Sequence, residues 1–144
     1  MIYLDTSALA KKYFMNEKGH GRIIKILKAN PHKLFSSALT YLEALSALTR
    51  RKHEIRDYDE AILTLKDDWD AFSVWSIDDE ILTSAAGLIT RHRLRSADAI
   101  HLATALSIRQ QMKETPVFVC NDADLGQAAG KEGLSVVDPA VEEK

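Results

Sequence analysis

Residues 1–14 read Met-Ile-Tyr-Leu-Asp-Thr-Ser-Ala-Leu-Ala-Lys-Lys-Tyr-Phe, and this stretch decides the fold class. Its second to fourth residues are an apolar run, which predicts a short buried strand. Thr6 and Ser7 are residue types that favour the start of a helix, and the helix is predicted to continue to about Phe14. A buried strand that passes directly into a helix is the repeating unit of α/β proteins, so the stretch indicates a parallel sheet.

The same alternation continues to the end of the chain. Further strands are predicted at 33–36, 72–75, 116–120 and 134–137, and helices at about 23–29, 37–53, 57–71, 76–90, from 96 onward, and 122–133. Alternating strands and helices predict a parallel sheet with helices on both faces. We therefore expect an α/β protein, a three-layer α/β/α Rossmann-like domain whose central parallel sheet has four to five strands. No repeat or break in composition divides the chain, so one domain over residues 1–144 is expected.

Composition excludes several classes of protein. The chain has 144 residues and 46% hydrophobic content, enough for one core. The single cysteine, Cys120, rules out an internal disulfide, a paired-cysteine redox site and a cysteine zinc site, which favours a reducing, cytoplasmic compartment. No window approaches the roughly 18 consecutive apolar residues of a membrane span, and the N-terminus has no basic leader with an apolar core. We expect a soluble, unprocessed protein with no membrane partner.

Nucleic-acid binding, if present, must be local, because the net charge is −2 and the pI is about 6.2. Two short basic runs could supply it. They lie at residues 50–53 and 91–95 and contain the arginines Arg50, Arg51, Arg91, Arg93 and Arg95. The alternative is that these cations only stabilise the C-terminal ends of helices.

Four acidic residues fall where a parallel sheet builds its ligand site, beyond the carboxyl ends of its strands. Asp5 and Asp122 directly follow predicted strands. Asp98 lies in the first turn of its helix, two residues after Ser96, the predicted cap. Glu43 is early in its helix, on a side away from the leucines at 39, 42, 45 and 48. All four can point into one crevice.

Each acid also has a purely structural interpretation. Asp5 and Asp122 are good helix N-caps, Asp98 could only complement the helix dipole, and Glu43 has the spacing of a capping box with Thr40. These interpretations do not explain the small residues beside two of the acids. The small neighbours of Glu43 and Asp98 predict space for another molecule; they are Ala44, Ala47, Ala97 and Ala99.

Four carboxylates in one pocket would repel one another unless cations neutralised them, so the pattern predicts a metal site. Oxygen ligands without cysteine favour Mg²⁺ or Mn²⁺ over zinc, and two such ions would suit phosphodiester cleavage. The five histidines form no zinc motif. His101, three residues after Asp98, is interpreted as a packing or surface residue.

Four segments together resemble one known family. They are Ile-Tyr-Leu-Asp5-Thr-Ser7-Ala-Leu-Ala-Lys11-Lys-Tyr13-Phe, Leu39-Thr40-Tyr-Leu-Glu43-Ala-Leu-Ser-Ala-Leu, Leu94-Arg95-Ser96-Ala97-Asp98-Ala-Ile-His101-Leu-Ala-Thr-Ala and Val117-Phe-Val-Cys-Asn121-Asp122-Ala-Asp-Leu125-Gly-Gln-Ala128-Ala129. In this order they are similar to a PIN domain, specifically a VapC-type toxin of toxin–antitoxin pairs. The resemblance covers essentially the whole chain, and Asp5, Glu43, Asp98 and Asp122 match the family's four acids.

The resemblance implies a PIN-like fold and a Mg²⁺- or Mn²⁺-dependent endoribonuclease, with the four acids as metal ligands and products ending in a 5′-phosphate and a 3′-hydroxyl. It further implies a homodimer, inhibited by a small antitoxin, whose basic runs hold the RNA backbone. Ser7 and Asn121 would support the metal ligands. Asp124 competes with Asp122 and could hold a metal-bound water, but Asp122 has the family's spacing to Leu125.

Three alternatives remain at this point. The chain could be a PIN-fold nuclease outside a toxin–antitoxin pair, or a non-catalytic PIN module that binds RNA or protein. Four mutually repelling carboxylates argue against the non-catalytic module. A phosphomonoesterase of the haloacid-dehalogenase kind also begins with an aspartate after its first strand. It needs a second aspartate two residues later, where this chain has Ser7.

Overall fold

A computed structural model describes residues 1–141 of the chain. Its strands are β1 Ile2–Leu4, β2 Leu34–Ser37, β3 Ser73–Trp75, β4 Val117–Val119 and β5 Val136–Val137. Its helices are α1 Thr6–Ala10, α2 His20–Ala29, α3 Ala38–Arg50, α4 Tyr58–Trp69, α5 Asp79–His92, α6 Ser96–Met112 and α7 Ala123–Lys131. The expected single domain over residues 1–144 stays a prediction, and its last three positions lie outside the described residues.

The five strands form one sheet in the order β3-β2-β1-β4-β5, and every neighbouring pair is parallel. This confirms the predicted parallel sheet. The first strand is central, and the chain adds strands on one side of it before it crosses to the other. The crevice between β1 and β4 is therefore the point where strand order reverses, and such points form ligand sites in open α/β sheets.

Alternating side chains on the central strands divide the core into two layers. Tyr3 and Phe118 pack on the face covered by α5, α6 and α7, whereas Leu4 and Val119 pack on the face covered by α1 to α4. Successive residues of a strand point to opposite faces, so a run of apolar residues supplies both layers. The predicted three-layer arrangement is confirmed.

Two helix starts differ from the predictions by one position. Asp5, not Thr6 or Ser7, caps α1, which ends at Ala10 and continues as a 3₁₀ turn to Tyr13. Arg95 rather than Ser96 is the N-cap of α6, and it makes no side-chain cap hydrogen bond. In both helices the N-cap lies one position before the residue predicted for it.

No helix within residues 1–141 combines the length and the apolar character that crossing a membrane requires.

Candidate functional site

An open cleft of about 450 Å³ lies at the carboxyl edge of the sheet, beside the crevice between β1 and β4. It is lined by Asp5, Thr6, Ser7, Leu42, Glu43, Ser46, Ala47, Arg50, Asp98, His101 and Asp122. All four predicted acids are in this set. The structure brings them together from four separate elements of the chain.

Asp5 is the innermost acid of the cleft, with 3% of its surface exposed. Its Oδ1 accepts a hydrogen bond from the Ala8 amide at 2.9 Å, so it caps α1 as the structural interpretation supposed. The Ser7 hydroxyl lies 2.8 Å from both carboxylate oxygens and donates to them, and it accepts from the Asn121 amide at 2.9 Å. Ser7 thus connects the end of β1 to the end of β4 and holds the orientation of Asp5.

Glu43 reaches the cleft from α3 and is held through one oxygen. Its Oε1 accepts from the Thr6 hydroxyl at 2.6 Å and lies 2.8 Å from Nε2 of His101. On the other side of the imidazole, Nδ1 is 2.8 Å from the Tyr3 hydroxyl. A hydrogen-bonded chain therefore runs from the centre of the sheet to the Glu43 carboxylate.

Asp98 and Asp122 occupy the starts of α6 and α7. Asp98 lies in the first turn of α6, and Asp122 is the N-cap of α7, where its Oδ1 accepts from the Leu125 amide at 2.9 Å. A helix N-terminus favours an ionised carboxylate through its free amides and its dipole. Both acids therefore have a structural role as well as a place in the cleft.

The acids of the cleft disfavour one another's ionised forms. Burial raises the pKa of Asp5 to about 6, although His101, the Ala8 amide and Ser7 favour its ionised form. Burial, followed by the charge of Asp122, raises the pKa of Asp98. The pKa of Glu43 is lowered, because the hydrogen bonds from His101 and Thr6 outweigh its burial. The cleft is therefore a place where a cation would relieve electrostatic strain.

The donor set suits a hard divalent cation. The acids offer carboxylate oxygens only, with no thiolate in the lining, and such sets bind Mg²⁺ or Mn²⁺ rather than zinc. In the described part of the chain, however, no group of three or more acids, histidines or cysteines is already arranged to hold a metal ion. The residues fit the cation in their chemistry, and they line its cleft without forming a finished coordination shell.

The structure also decides two alternatives that concerned Glu43. Ser37 is the N-cap of α3, and the Thr40 hydroxyl accepts a hydrogen bond from Ser36. Thr40 is therefore not the helix cap, and Glu43 forms no capping box with it. The small residues next to the acids are only partly relevant, because Ala47 lines the cleft but Ala44 and Ala99 are fully buried in the core. Of the four small neighbours, therefore, only Ala47 takes part in the cleft.

His101 is the residue that sequence reasoning missed. Its 2% exposure agrees with the interpretation as a packing residue, but it also lines the cleft in contact with Glu43. Its position three residues after Asp98 places both on one side of α6. This spacing is the feature of the sequence that could have indicated a place in the cleft, but the contact with Glu43 is visible only in the folded protein.

The remaining predicted residues are distributed around the site. The side-chain nitrogen of Asn121 donates to Asp138, whereas the backbone N–H of Asn121 donates to the Ser7 hydroxyl. Asp124 is absent from the cleft and lies in a separate basic hollow with Arg91, Arg93 and Lys131.

Among the predicted RNA-binding arginines, Arg50 lines the cleft, and the charge of Arg95 acts on Asp98. Arg91 lies near Glu132, at 3.7 Å. Arg51 is engaged elsewhere, because it forms ion pairs with Glu17 and Glu54 and stacks 3.8 Å from the Phe14 ring centre. The two neighbouring arginines at the end of α3 thus differ in their surroundings.

Comparison with known proteins gives consistent matches. The model of the PIN domain family matches residues 2–131. Ribonuclease VapC46 of Mycobacterium tuberculosis is 30% identical over 139 residues, covering 96% of this chain and 98% of that protein.

Two solved structures share the fold. VapC20 of Mycobacterium tuberculosis, described as a sarcin–ricin loop cleaving toxin, has a TM-score of 0.71 at 19% identity, with 99% of this chain and 100% of that chain covered. A toxin–antitoxin complex from Klebsiella pneumoniae contains a chain with a TM-score of 0.69 at 20% identity, with 96% and 98% covered. These likenesses confirm the expected PIN-like fold.

Proposed function

The chain belongs to the PIN domain family, and from this membership we propose that it is a divalent-metal-dependent endoribonuclease that acts as the toxin of a toxin–antitoxin pair. The observation that carries the proposal is the set of four acids, Asp5, Glu43, Asp98 and Asp122, in one cleft at the strand-order reversal. The relative that is 30% identical along nearly the whole chain is named a ribonuclease, which supports the same reaction.

The acids would hold Mg²⁺ or Mn²⁺, with Asp5 and Asp98 contributing most and Glu43 and Asp122 completing the site. When bound, the cation would lower the pKa of a water molecule and offset the negative charge of the scissile phosphate. Ser7 keeps both oxygens of Asp5 in place through its hydroxyl. Cleavage by water is expected to leave a 5′-phosphate and a 3′-hydroxyl.

Removal of divalent metal is expected to abolish cleavage. Purified protein incubated with a mixed pool of structured RNAs should cut in Mg²⁺ or Mn²⁺ and not in EDTA, because the four carboxylates cannot approach a phosphate without cations between them. Sequencing of product ends measures both the cut sites and the terminal groups. Cleavage that persists in EDTA, or products ending in a 2′,3′-cyclic phosphate, would contradict the metal mechanism.

RNA is expected to enter past Arg50, which lies at the cleft on the last turn of α3. Arg50→Ala should raise KM or the Kd for RNA roughly 3- to 10-fold at low salt, with a smaller effect at high salt, since a phosphate contact is lost. Arg51→Ala is the matched control, because Arg51 is paired with Glu17 and Glu54. It should instead lower the free energy of unfolding by about 1 kcal/mol and leave RNA affinity nearly unchanged. Equal losses of RNA affinity in both variants would refute this assignment.

The partners follow from the same proposal. We expect a small antitoxin to inhibit the enzyme and the chain to form a homodimer, in the cytoplasm where RNA is available. Apolar side chains that such partners could cover are exposed on α3 and α4, where Leu42 is 65% exposed and Leu63 is 64% exposed. Among the leucines at 39, 42, 45 and 48, only Leu48 is fully buried.

A non-catalytic module remains the competing function, and the raised pKa values of Asp5 and Asp98 argue against it. A scaffold that only bound RNA would gain stability from neutral residues at these positions.

A further inference from the structure

We propose that Tyr3 and His101 are positioning residues for Glu43: the Tyr3 hydroxyl holds the His101 ring so that its Nε2–H donates to Glu43 and so orients that carboxylate for its cation. The inference rests on the proposed function for the role of Glu43, but its first step concerns hydrogen bonds of the metal-free protein alone.

The three groups form a continuous line through the protein. The Tyr3 hydroxyl is 2.8 Å from Nδ1 of His101, and Nε2 of the same ring is 2.8 Å from Oε1 of Glu43. Tyr3 has no exposed surface, and His101 is 2% exposed. Water therefore has little access to the contact between Tyr3 and His101, whereas the contact between His101 and Glu43 is partly buried at the edge of the cleft.

The contact with Glu43 requires a proton on Nε2. A carboxylate only accepts hydrogen bonds, so a lone pair on Nε2 at 2.8 Å from Oε1 would be repelled. The favourable arrangement has Nε2–H directed at Glu43.

Tyr3 holds the other side of the ring. Its hydroxyl is 2.8 Å from Nδ1, and a hydroxyl can donate to a nitrogen lone pair or accept from an N–H. Nearby, the Thr104 hydroxyl donates to the Ile100 carbonyl at 2.6 Å and the Ser36 hydroxyl donates to the Leu4 carbonyl at 2.6 Å. The contact between Tyr3 and Nδ1 thus fixes the rotation of the ring whichever atom donates, and the fixed ring directs Nε2 at Glu43.

The result is a carboxylate held through one oxygen. Thr6 and His101 both reach Oε1, while Oε2 takes no part in either contact and is available to a cation. Groups behind a metal ligand that fix its orientation typically change metal affinity about 10-fold or more when removed. The Tyr3 ring itself stacks on Phe118, with centroids 5.3 Å apart, so a core residue acts on the cleft without entering it.

Nitrogen NMR of the metal-free protein tests the first step. In the wild type, Nε2 of His101 should carry a hydrogen-bonded proton that exchanges slowly with water. Tyr3→Phe removes only the hydroxyl and keeps the stacked ring, so this Nε2–H should exchange faster once the ring is no longer held at Nδ1. A wild-type Nε2 without a proton, or an unchanged exchange rate in Tyr3→Phe, would overturn the proposal.

Titration with Mn²⁺ alone, followed by electron paramagnetic resonance, tests the second step. Tyr3→Phe should bind Mn²⁺ roughly 10-fold more weakly than the wild type. In a Glu43→Ala background the same substitution should cause no further loss. Tyr13→Phe is the matched control, because it removes a buried hydroxyl that donates to Asp68 at 2.6 Å, away from the cleft. Equal Mn²⁺ affinity in Tyr3→Phe and Tyr13→Phe would refute the positioning role.

A second pair of variants guards against misfolding of Tyr3→Phe. His101→Gln can still donate an amide N–H to Glu43, whereas His101→Leu cannot, so the glutamine variant should bind Mn²⁺ more tightly than the leucine variant. The reverse order would count against the proposal. If wild-type protein bound no Mn²⁺ and cut no RNA, the proposed function would fail, while the exchange of the His101 Nε2–H measured without metal would still decide whether Tyr3 holds His101.

Discussion

Asp98→Asn is expected to lower metal-dependent RNA cleavage roughly 100- to 1,000-fold or more, with the protein still folded. The substitution removes the negative charge of a carboxylate that lies near Asp122 and Glu43 in the cleft. Burial, followed by the charges of these two acids, raises the pKa of Asp98. Asparagine is nearly the same size and tolerates the first turn of a helix, so folding should be little affected. Rates of RNA cleavage in Mg²⁺ and Mn²⁺, with circular dichroism as the folding check, provide the measurement.

Asp124→Asn is the matched control for this experiment. Both aspartates lie in the first turn of a helix, but Asp124 belongs to the basic hollow beside Arg91 and Arg93 rather than to the cleft. It should therefore cleave RNA at close to the wild-type rate. Full activity in Asp98→Asn would sink the metal-site assignment, and a large loss in Asp124→Asn would return that residue to the site.

Asp5→Asn is expected to abolish cleavage as well and, in the absence of metal, to make the fold more stable at neutral pH. Burial raises the pKa of Asp5 to about 6 in the folded protein. Because the folded value lies above the ordinary value, the ionised form destabilises the fold, by on the order of 1–3 kcal/mol at pH 7. Asparagine carries no charge and can still accept from the Ala8 amide.

The pH dependence gives this prediction its sign. Wild-type protein in EDTA should become less stable as the pH rises from about 4 towards 7, because the buried Asp5 becomes ionised over that range. Asp5→Asn has no charge to gain there, so the difference in unfolding free energy between the two proteins should grow with pH. Urea unfolding at each pH measures it. Asp78→Asn is the control, since Asp78 caps α5 by accepting from Ile81 but is exposed. If Asp5→Asn were less stable than the wild type at pH 7 in EDTA, burial of the charge would not be the dominant effect.

Much of the site could be predicted because its acids are tied to local features of the chain. Asp5 and Asp122 directly follow strands, and parallel strands end at one edge of the sheet. Asp98 is in the first turn of a helix whose start was displaced by one residue without moving the acid. The family resemblance added the order of the four acids, and the shared cleft agrees with it.

What could not be predicted depends on contacts across long distances in the chain. Tyr3 and His101 are 98 positions apart, and nothing nearby in the sequence indicates that a carboxylate lies opposite His101. The difference between Arg50 and Arg51 likewise depends on Glu17 and Phe14, which approach from the segment after α1.

Apolar runs and helix caps act over a few residues, so the alternation of strands and helices, the parallel sheet and the positions of the four acids can be predicted from the amino-acid sequence. The hydrogen bonds that hold those acids, the arginine that lines the cleft and the place of Asp124 outside it are established only in the folded chain. Side-chain partners from distant elements are chosen by packing of the two helix layers, and that packing is a property of the whole folded chain.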